Sequence, residues 1–212
     1  MNLKENYVIT ISREVGSGGH SVAIALAEKL GVPCYDKYLI NSLVEKFNLD
    51  AGTIERIKGQ KKNWFDDFFA FASPAPRPDM FVAYQPMSYT ASSDEIIRCE
   101  KEILSELPKK GSCVIAGRSA FFQIKDHPNK LDIFIRASQQ TRLRHIMDKQ
   151  NLSEEEAAKV MEVVDKGREN FVQRCTGKSR YDLRNYHLML NMDELTVEQA
   201  VQVVLDYIGG QA

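Results

Sequence analysis

The sequence predicts an α/β fold in which helices flank a sheet of parallel strands. Short apolar runs alternate along the chain with longer segments of helical periodicity. The apolar runs are also continuous, which is typical of parallel strands buried on both faces. A chain of 212 residues, of which 43% are hydrophobic, can bury a sizeable core. We therefore expect a single domain over residues 1–212.

Four apolar runs are predicted to form the sheet, and a short fifth piece extends it. The four runs are YVITIS (7–12), SCVIAG (112–117), LDIFIRA (131–137) and YHLMLNM (186–192). The fifth piece is VPCYD (32–36), because Gly31 and Pro33 end the preceding helix just before it.

Helical periodicity recurs between these runs. Two of the predicted helices begin with capping boxes, Ser153 with Glu156 and Thr196 with Gln199, in which each member satisfies an amide of the first turn. The predicted helices are 21–30, 37–47, 94–107, 139–149, 154–175 and 197–208.

One segment interrupts the alternation. Residues 59–93 combine many aromatic residues, among them the only tryptophan, Trp64, with four prolines. Prolines at this density exclude one regular helix or a central strand. Two interpretations remain open, a lid over a ligand or a packed contact between subunits of a homodimer.

Composition excludes several classes of function. The net charge of −1 gives no reason to expect a nucleic-acid partner. The four cysteines are widely separated, which favours reduced thiols over disulfides or zinc. No apolar run is long enough to span a bilayer, and the N-terminus lacks the apolar core of a signal peptide. We therefore expect a cytoplasmic protein without a membrane partner.

A glycine-rich turn follows the first predicted strand in ITISREVGSGGHSVAIALAEKLG, beginning at residue 9. A strand, a glycine-rich turn and a helix in direct succession aim backbone amides and the positive end of the helix at one point, as a phosphate requires. Gly16, Gly18 and Gly19 permit a close approach, and the hydroxyl of Ser21 is placed for a phosphate-bound Mg²⁺. An ordinary helix start is the alternative.

The turn lacks the lysine of the phosphate-binding pattern G-x-x-x-x-G-K-[ST], because Gly19 and His20 stand in its place. Another cation must supply the missing charge at the β and γ phosphates. Arg13 is the better candidate because its guanidinium stays charged and can bind two phosphate oxygens. His20 is the other candidate, and a surface role for it stays open.

The chain as a whole resembles the cytidylate kinase-like proteins among the P-loop nucleoside monophosphate kinases, collinearly from residue 7 to residue 208. The turn resembles their SR-x-x-GSGG signature, which is related to the GxSGxGKGT loop of cytidylate kinases. The other resembling segments are VPCYDKYLI, CVIAGRSAFF, DKGRENF and YHLMLNMDELTVEQAV.

This resemblance implies a five-stranded parallel sheet, a monophosphate-binding arm at 37–93 and a helical lid at 150–180. ATP is expected at residues 13–21. The expected ATP contacts are Gly16, Ser17, Gly18, Gly19, His20 and Ser21, with Ser21 also as the Mg²⁺ ligand.

For the acceptor, the resemblance matches Asp36 to an aspartate that contacts the nucleoside. It matches Arg118 to the arginine of D-G-R-D that contacts the monophosphate, although a structural ion pair is the alternative for Arg118. The flanking aspartates of D-G-R-D are Ala116 and Ser119 here, so a contact that helps select cytosine is missing.

In the lid, the resemblance gives Lys166 and Arg168 the role of cations that close over the transferring phosphoryl group. With Arg13 they are the predicted catalytic residues. Arg142 and Arg144 are further candidates for ATP contact, and a solvated surface is equally open for both.

The function expected from these observations is ATP-dependent and Mg²⁺-dependent phosphoryl transfer to a nucleoside monophosphate, with CMP favoured. Two alternatives stay open. The first is a nucleotide-binding module that lacks turnover and signals to a partner, which the missing lysine favours. The second is a kinase for another small phosphorylated metabolite or a free hydroxyl.

Overall fold

The computed structural model describes residues 1–36, 101 and 104–210. By its internal contacts the chain divides into two compact units, Met1–Tyr35 with Leu104–Ala212 and Asp36–Ile103. The second unit contributes only Asp36 and Lys101 to the described residues. The predicted helix at 37–47, the arm at 37–93 and the aromatic insertion at 59–93 therefore lie outside the part of the chain that is described.

The described part of the chain contains a five-stranded parallel sheet, as the sequence predicts. Its order is β2-β3-β1-β4-β5, with Ile9 of β1 opposite Val114 of β3 on one side and Leu131 of β4 on the other. The strands are β1 (Val8–Arg13), β2 (Cys34–Tyr35), β3 (Cys113–Ala116), β4 (Lys130–Arg136) and β5 (Leu188–Asn191).

Helices flank the sheet, and their ends follow from local sequence. Both predicted capping boxes are confirmed, at Ser153 and at Thr196. Residues 104–110 are helical, so this helix ends beyond the predicted residue 107. The other helices of the described residues are α1 (Gly19–Leu30), α2 (Ala120–Gln123), α3 (Gln139–Gln150), α4 (Glu154–Thr176) and α5 (Val197–Gly209), and a 3₁₀ turn spans Leu183–Asn185.

The hydrophobic core lies where one face of the sheet meets α1 and α5. Ile9, Ile133, Leu26 and Val204 are each fully buried in it. Because β1 is the central strand and is buried on both faces, its carboxyl end and the turn that follows are held in a fixed position.

The strand order places a topological switch point between β1 and β3. From β1 the chain crosses to β2 at one edge of the sheet, whereas from β3 it crosses in the opposite direction to β4. In open α/β sheets, ligands bind outside the carboxyl ends of the strands at such a point. The turn after β1 and the turn after β3 flank it here.

Among the residues that the structure describes, no helix combines the length and the apolar character that crossing a bilayer requires.

Candidate active site

The glycine-rich turn between β1 and α1 adopts a conformation that needs glycine at two positions. Gly16 and Gly18 have φ angles of 76° and 79°, in the left-handed region. A Cβ on Gly16 would lie 2.6 Å from the carbonyl oxygen of Arg142, so close packing requires glycine there as well. The turn is therefore shaped by glycine and held against α3.

Ser17 stabilises the turn from inside. Its side chain is fully buried, and its hydroxyl donates to the carbonyl of Glu14 at 2.9 Å. The same hydroxyl accepts from the amide of Gly19 at 3.4 Å. Any contact between Ser17 and a nucleotide would therefore come from its main chain.

The start of α1 fits an anion. Gly18 occupies the N-cap position without a side-chain cap, and the first turn of α1 carries no acidic residue. The amides of a helix start carry partial positive charge, which an anion stabilises. His20 is half-buried in this first turn, and Ser21 is exposed. Both side chains therefore lie at the end of α1 that would stabilise an anion.

Arg13, the last residue of β1, is buried with 9% of its surface exposed. Its Cβ and Cγ lie against Gly19, where an added Cβ would be 2.6 Å and 3.2 Å from them. Its guanidinium lies against Gly117, because a Cβ there would overlap Nη1. The side chain thus extends from the glycine-rich turn to the turn after β3.

Asp165 of α4 joins this helix to the glycine-rich turn. Its Oδ1 accepts from the amide of Val15 at 3.1 Å, and its Oδ2 accepts from Nη2 of Arg142. Nη1 of Arg168 and Nη1 of Arg180 each lie 3.6 Å from Oδ1. One carboxylate is therefore shared by three guanidinium groups beside the turn.

The same arginines also contact the end of β1. Nη1 of Arg168 donates to the carbonyl of Arg13 at 3.1 Å, and Nη2 of Arg180 donates to the same oxygen. Arg180 has only 3% of its surface exposed and lies over the rings of Phe134 and Tyr181, at 5.7 Å and 5.2 Å. Positive charge from α4 and from the segment after it therefore converges on the start of the turn.

A tyrosine fixes the segment that carries Arg180. The hydroxyl of Tyr186 donates to the carbonyl of Arg180 at 2.8 Å. Burial raises the pKa of Tyr186 to about 12, so this hydroxyl stays protonated and remains a donor at neutral pH.

Helix α3 supports the turn from another side. Nε of Arg142 donates to the carbonyl of Val15 at 2.7 Å, and Nη1 lies 3.4 Å from Oε1 of Glu14. Nδ1 of His145 lies 2.9 Å from the carbonyl of Gly16, which requires the proton on Nδ1. Arg142 is therefore a positioning residue rather than a solvated one, whereas Arg144 is exposed.

The turn after β3 is strained. Gly117, Arg118 and Ser119 have φ angles of 87°, 60° and 54°, three left-handed residues in succession. Arg118 is buried, with 6% of its surface exposed. Ser119 is at the N-cap of α2 but its side chain makes no cap hydrogen bond, and among the described residues its buried Oγ has no hydrogen-bond partner. Strain of this kind concentrates at ligand sites.

The structure brings most of the predicted site residues together. Arg13, the turn from Gly16 to Ser21, and Arg168 meet at the carboxyl end of β1. Lys166 is exposed on α4, and within the described residues it forms no hydrogen bond or ion pair. Asp36 is buried and directly follows β2.

Sequence reasoning missed Asp165 and Arg180, and it missed the role of Glu14. A signal existed for Asp165, because an acid three residues before Arg168 lies on the same face of a helix. For Arg180 the signal was weaker, because its burial depends on aromatic side chains from β4 and from the segment after α4.

In the part of the chain that the structure describes, no group of three or more His, Cys, Asp or Glu side chains could hold an ion.

Several solved structures share the fold over nearly the whole chain. An uncharacterised protein from Eubacterium ventriosum ATCC 27560 has a TM-score of 0.68 at 24% identity, with 96% of this chain and 98% of that chain covered. Shikimate kinase from Bacteroides thetaiotaomicron has a TM-score of 0.53 at 16% identity, with the same coverage of 96% and 98%. TT1252 from Thermus thermophilus has a TM-score of 0.55 at 17% identity, again covering 96% and 98%. At these identities the likeness concerns the fold.

Among functionally curated proteins, no sequence matches this chain. The profile of the cytidylate kinase-like family, in contrast, matches residues 8–194, from the first residue of β1 to just beyond β5. The match includes the glycine-rich turn, the strained turn and α4. The sequence predicted this resemblance, and the profile confirms it: the chain belongs to the cytidylate kinase-like family.

Proposed function

We propose that the protein transfers the γ-phosphoryl group of ATP to a nucleoside monophosphate, with CMP or a related pyrimidine monophosphate as the acceptor. The observation that carries this proposal is the meeting of Arg13, Arg168 and Arg180 at the glycine-rich turn. Three cations meet at one helix start, and they come from β1, from α4 and from the segment after α4. This arrangement suits a polyphosphate better than a single small anion.

The donor nucleotide would lie with its phosphates on the turn. The amides from Gly16 to Ser21 would bind phosphate oxygens, since the left-handed glycines leave room for close approach. Bound Mg²⁺ would neutralise phosphate charge, and the exposed hydroxyl of Ser21 would help to hold it. His20, in the same helical turn, stays a predicted ATP contact.

Catalysis would depend on position and charge. In phosphoryl transfer an acceptor oxygen forms a bond to the γ-phosphorus while the bond to the leaving ADP oxygen breaks, and charge spreads over the equatorial oxygens. Arg168 and Arg180 are close enough to the turn to stabilise that charge by exchanging the carbonyl of Arg13 for phosphate oxygens. Lys166 stays a predicted catalytic residue, which would need α4 to move.

The acceptor would bind beside the turn after β3. Arg118, buried and strained at a strand end, is the proposed partner of the acceptor's phosphate. Asp36 stays a predicted nucleoside contact from the family resemblance. Ser119 stands where cytidylate kinases carry an aspartate, so the selection of the base is expected to differ from theirs.

The test is ADP release from ATP and Mg²⁺ with each common nucleoside monophosphate in turn, deoxy forms included, against a blank without acceptor. Shikimate and inorganic phosphate are added to the panel as acceptors of other classes. Turnover that depends on a pyrimidine monophosphate supports the proposal. Turnover with shikimate alone would mean that the acceptor is not a nucleoside monophosphate. ATP binding without turnover across the panel would favour a nucleotide-binding module.

A further inference from the structure

With its second glycine at Gly18, the phosphate-binding pattern G-x-x-x-x-G-K-[ST] is broken at residues 13, 19 and 20, and the changes at 13 and 19 are reciprocal. When the second glycine of G-x-x-x-x-G-K is placed at Gly18, the first glycine falls at residue 13 and the lysine at residue 19. This chain has arginine at 13 and glycine at 19. The cation and the glycine stand in each other's positions.

The two positions are in direct contact. A Cβ added at Gly19 would lie 2.6 Å from Cβ of Arg13, a separation that real Cβ atoms do not show. Because the clash is with Cβ, any side chain at 13 produces it, and turning the arginine away does not relieve it. Only one of the two positions can therefore carry a side chain while the backbone stays as it is.

Backbone conformation does not explain the glycine at 19. Gly19 begins α1, where helical dihedral angles suit every L-residue, and its φ lies outside the left-handed region of Gly16 and Gly18. The space beside it is what excludes a side chain, and Arg13 fills that space. A smaller contribution comes from Ile135, whose Cβ would lie 3.1 Å from the added atom.

We propose that the loop cation has exchanged places with the first glycine, so that Arg13 supplies from the end of β1 the charge that a lysine supplies from the first turn of α1. The guanidinium of Arg13 lies against Gly117, the residue before Arg118. It therefore extends from the glycine-rich turn to the turn that carries the proposed acceptor arginine, and the γ-phosphoryl group would pass there during transfer.

The catalytic part of this inference, that Arg13 supplies the charge, rests on the proposed function. The steric part, that residues 13 and 19 compete for one space, does not rest on it. The steric part predicts that residues 13 and 19 are coupled in stability: a side chain at 19 is tolerated only when residue 13 is glycine. The catalytic part predicts that activity follows the cation, whichever of the two positions carries it.

The experiment compares five variants with the wild type: Arg13→Gly, Gly19→Ala, Gly19→Lys, and the two double variants that combine Arg13→Gly with each change at 19. The alanine variants add a Cβ without charge, so they separate the steric part from the catalytic part. His20→Ala tests the rival cation, and Arg184→Ala, at a side chain that is 90% exposed, is the control for loss of an arginine.

Three quantities are measured for every variant: the Tm, the affinity for MgATP, and the acceptor-dependent turnover. Gly19→Ala and Gly19→Lys alone should each lower the Tm by about 5 °C, and Arg13→Gly should restore most of that loss. Arg13→Gly alone should lower turnover by about 100-fold or more. Adding Gly19→Lys to it should recover at least 10-fold, whereas adding Gly19→Ala should recover none.

Each opposing result overturns a defined part. If the Tm losses at 19 are the same with arginine or glycine at 13, the exchange has no steric basis. If Arg13→Gly keeps turnover within about 3-fold of the wild type, or His20→Ala loses more, Arg13 is not the cation. If the wild type shows no acceptor-dependent turnover, the proposed function fails. Two measurements then decide whether the exchange of positions is correct. The first is the Tm coupling between residues 13 and 19, and the second is whether the affinity for MgATP falls with Arg13→Gly and returns when Gly19→Lys is added.

Discussion

The carboxylate of Asp165, in the middle of α4, accepts a hydrogen bond from the main-chain amide of Val15 at 3.1 Å. The contact joins two residues 150 positions apart in the sequence and fixes the glycine-rich turn to the helix predicted to be the lid. Because Asp165 also binds arginines from three segments, its position determines where the cations of the site lie.

Asp165→Asn should lower the free energy of unfolding by about 3 kcal/mol, because it leaves buried guanidinium groups without their shared carboxylate. Urea unfolding measures the change. Asp148→Asn, at an exposed position of α3, is the control and should stay within about 0.5 kcal/mol of the wild type. Equal stability of the two variants would show that the arginines do not depend on Asp165.

Arg118→Ala should raise the KM for the acceptor and lower turnover, reducing kcat/KM by about 10-fold to 100-fold, while the affinity for ATP stays nearly unchanged. The reason is that Arg118 follows β3 and is the proposed partner of the acceptor's phosphate rather than of ATP. Steady-state kinetics with each substrate varied in turn measures this. An equal loss of ATP affinity would contradict the assignment.

Arg168→Ala should lower turnover more than Lys166→Ala does, by about 10-fold. Arg168 already donates to the carbonyl of Arg13, whereas Lys166 is exposed one residue away on the same helix. The two changes remove the same charge, so each is the matched control for the other. A larger loss from Lys166→Ala would mean that α4 rotates or shifts during the reaction.

Ser119→Gly should raise the free energy of unfolding by about 1 kcal/mol, which corresponds to a rise in Tm of about 3 °C. Glycine relieves the left-handed backbone, and the change removes a buried hydroxyl that has no partner in the part of the chain that the structure describes. Asn151→Gly is the matched control: its φ is 53°, but asparagine tolerates this region and the residue is exposed, so a smaller gain is expected. A fall in Tm for Ser119→Gly would mean that the hydroxyl is bonded in the folded protein.

Asp193 provides a dependence on pH. Its carboxylate accepts from the amide of Ser138 at 2.7 Å, and this hydrogen bond lowers the pKa of Asp193 to about 2 from its usual value of 3.8. A lowered pKa in the folded state contributes stability that is present above about 3.8 and is lost as the pH falls through about 2. Asp193→Asn should therefore be less stable than the wild type at pH 7, and the difference should shrink between pH 4 and pH 2.

The measurement for Asp193 is urea unfolding of both proteins across this range, with Glu194→Gln as the control for an acidic neighbour. A difference that is constant with pH would contradict the lowered pKa. Because Ser138 caps α3, the same hydrogen bond helps to position the helix that carries Arg142 and His145.

Local sequence was sufficient to predict the five strands and the helices α1, α3, α4 and α5 of the first unit, but not the short helix α2 or the 3₁₀ turn. The strands around Val8, Cys113 and Leu131 are continuous apolar runs because the sheet is buried on both faces, and burial of this kind is visible in composition. The capping boxes at Ser153 and Thr196 are local hydrogen-bond patterns, so they too follow from residues three positions apart.

The charged contacts of the site could not be predicted in this way. Whether Arg142 meets solvent or the glycine-rich turn depends on how α3 packs beside β1, and nothing within α3 differs between the two outcomes. The burial of Arg180 likewise depends on the rings of Phe134 and Tyr181, one of which comes from β4. Contacts between distant segments follow from tertiary packing rather than from local pattern.

By itself, then, the sequence determined the α/β sheet, the family, the glycine-rich turn and the absence of its lysine, because periodicity, capping and motif spacing are properties of neighbouring residues. Only the tertiary structure decided that Asp165 gathers the arginines and that Arg13 fills the space beside Gly19. The physical reason is the same in both cases. The parallel sheet brings strand ends and helix starts from distant parts of the chain to one edge. At that edge buried charges must find partners, and two side chains cannot occupy the same volume.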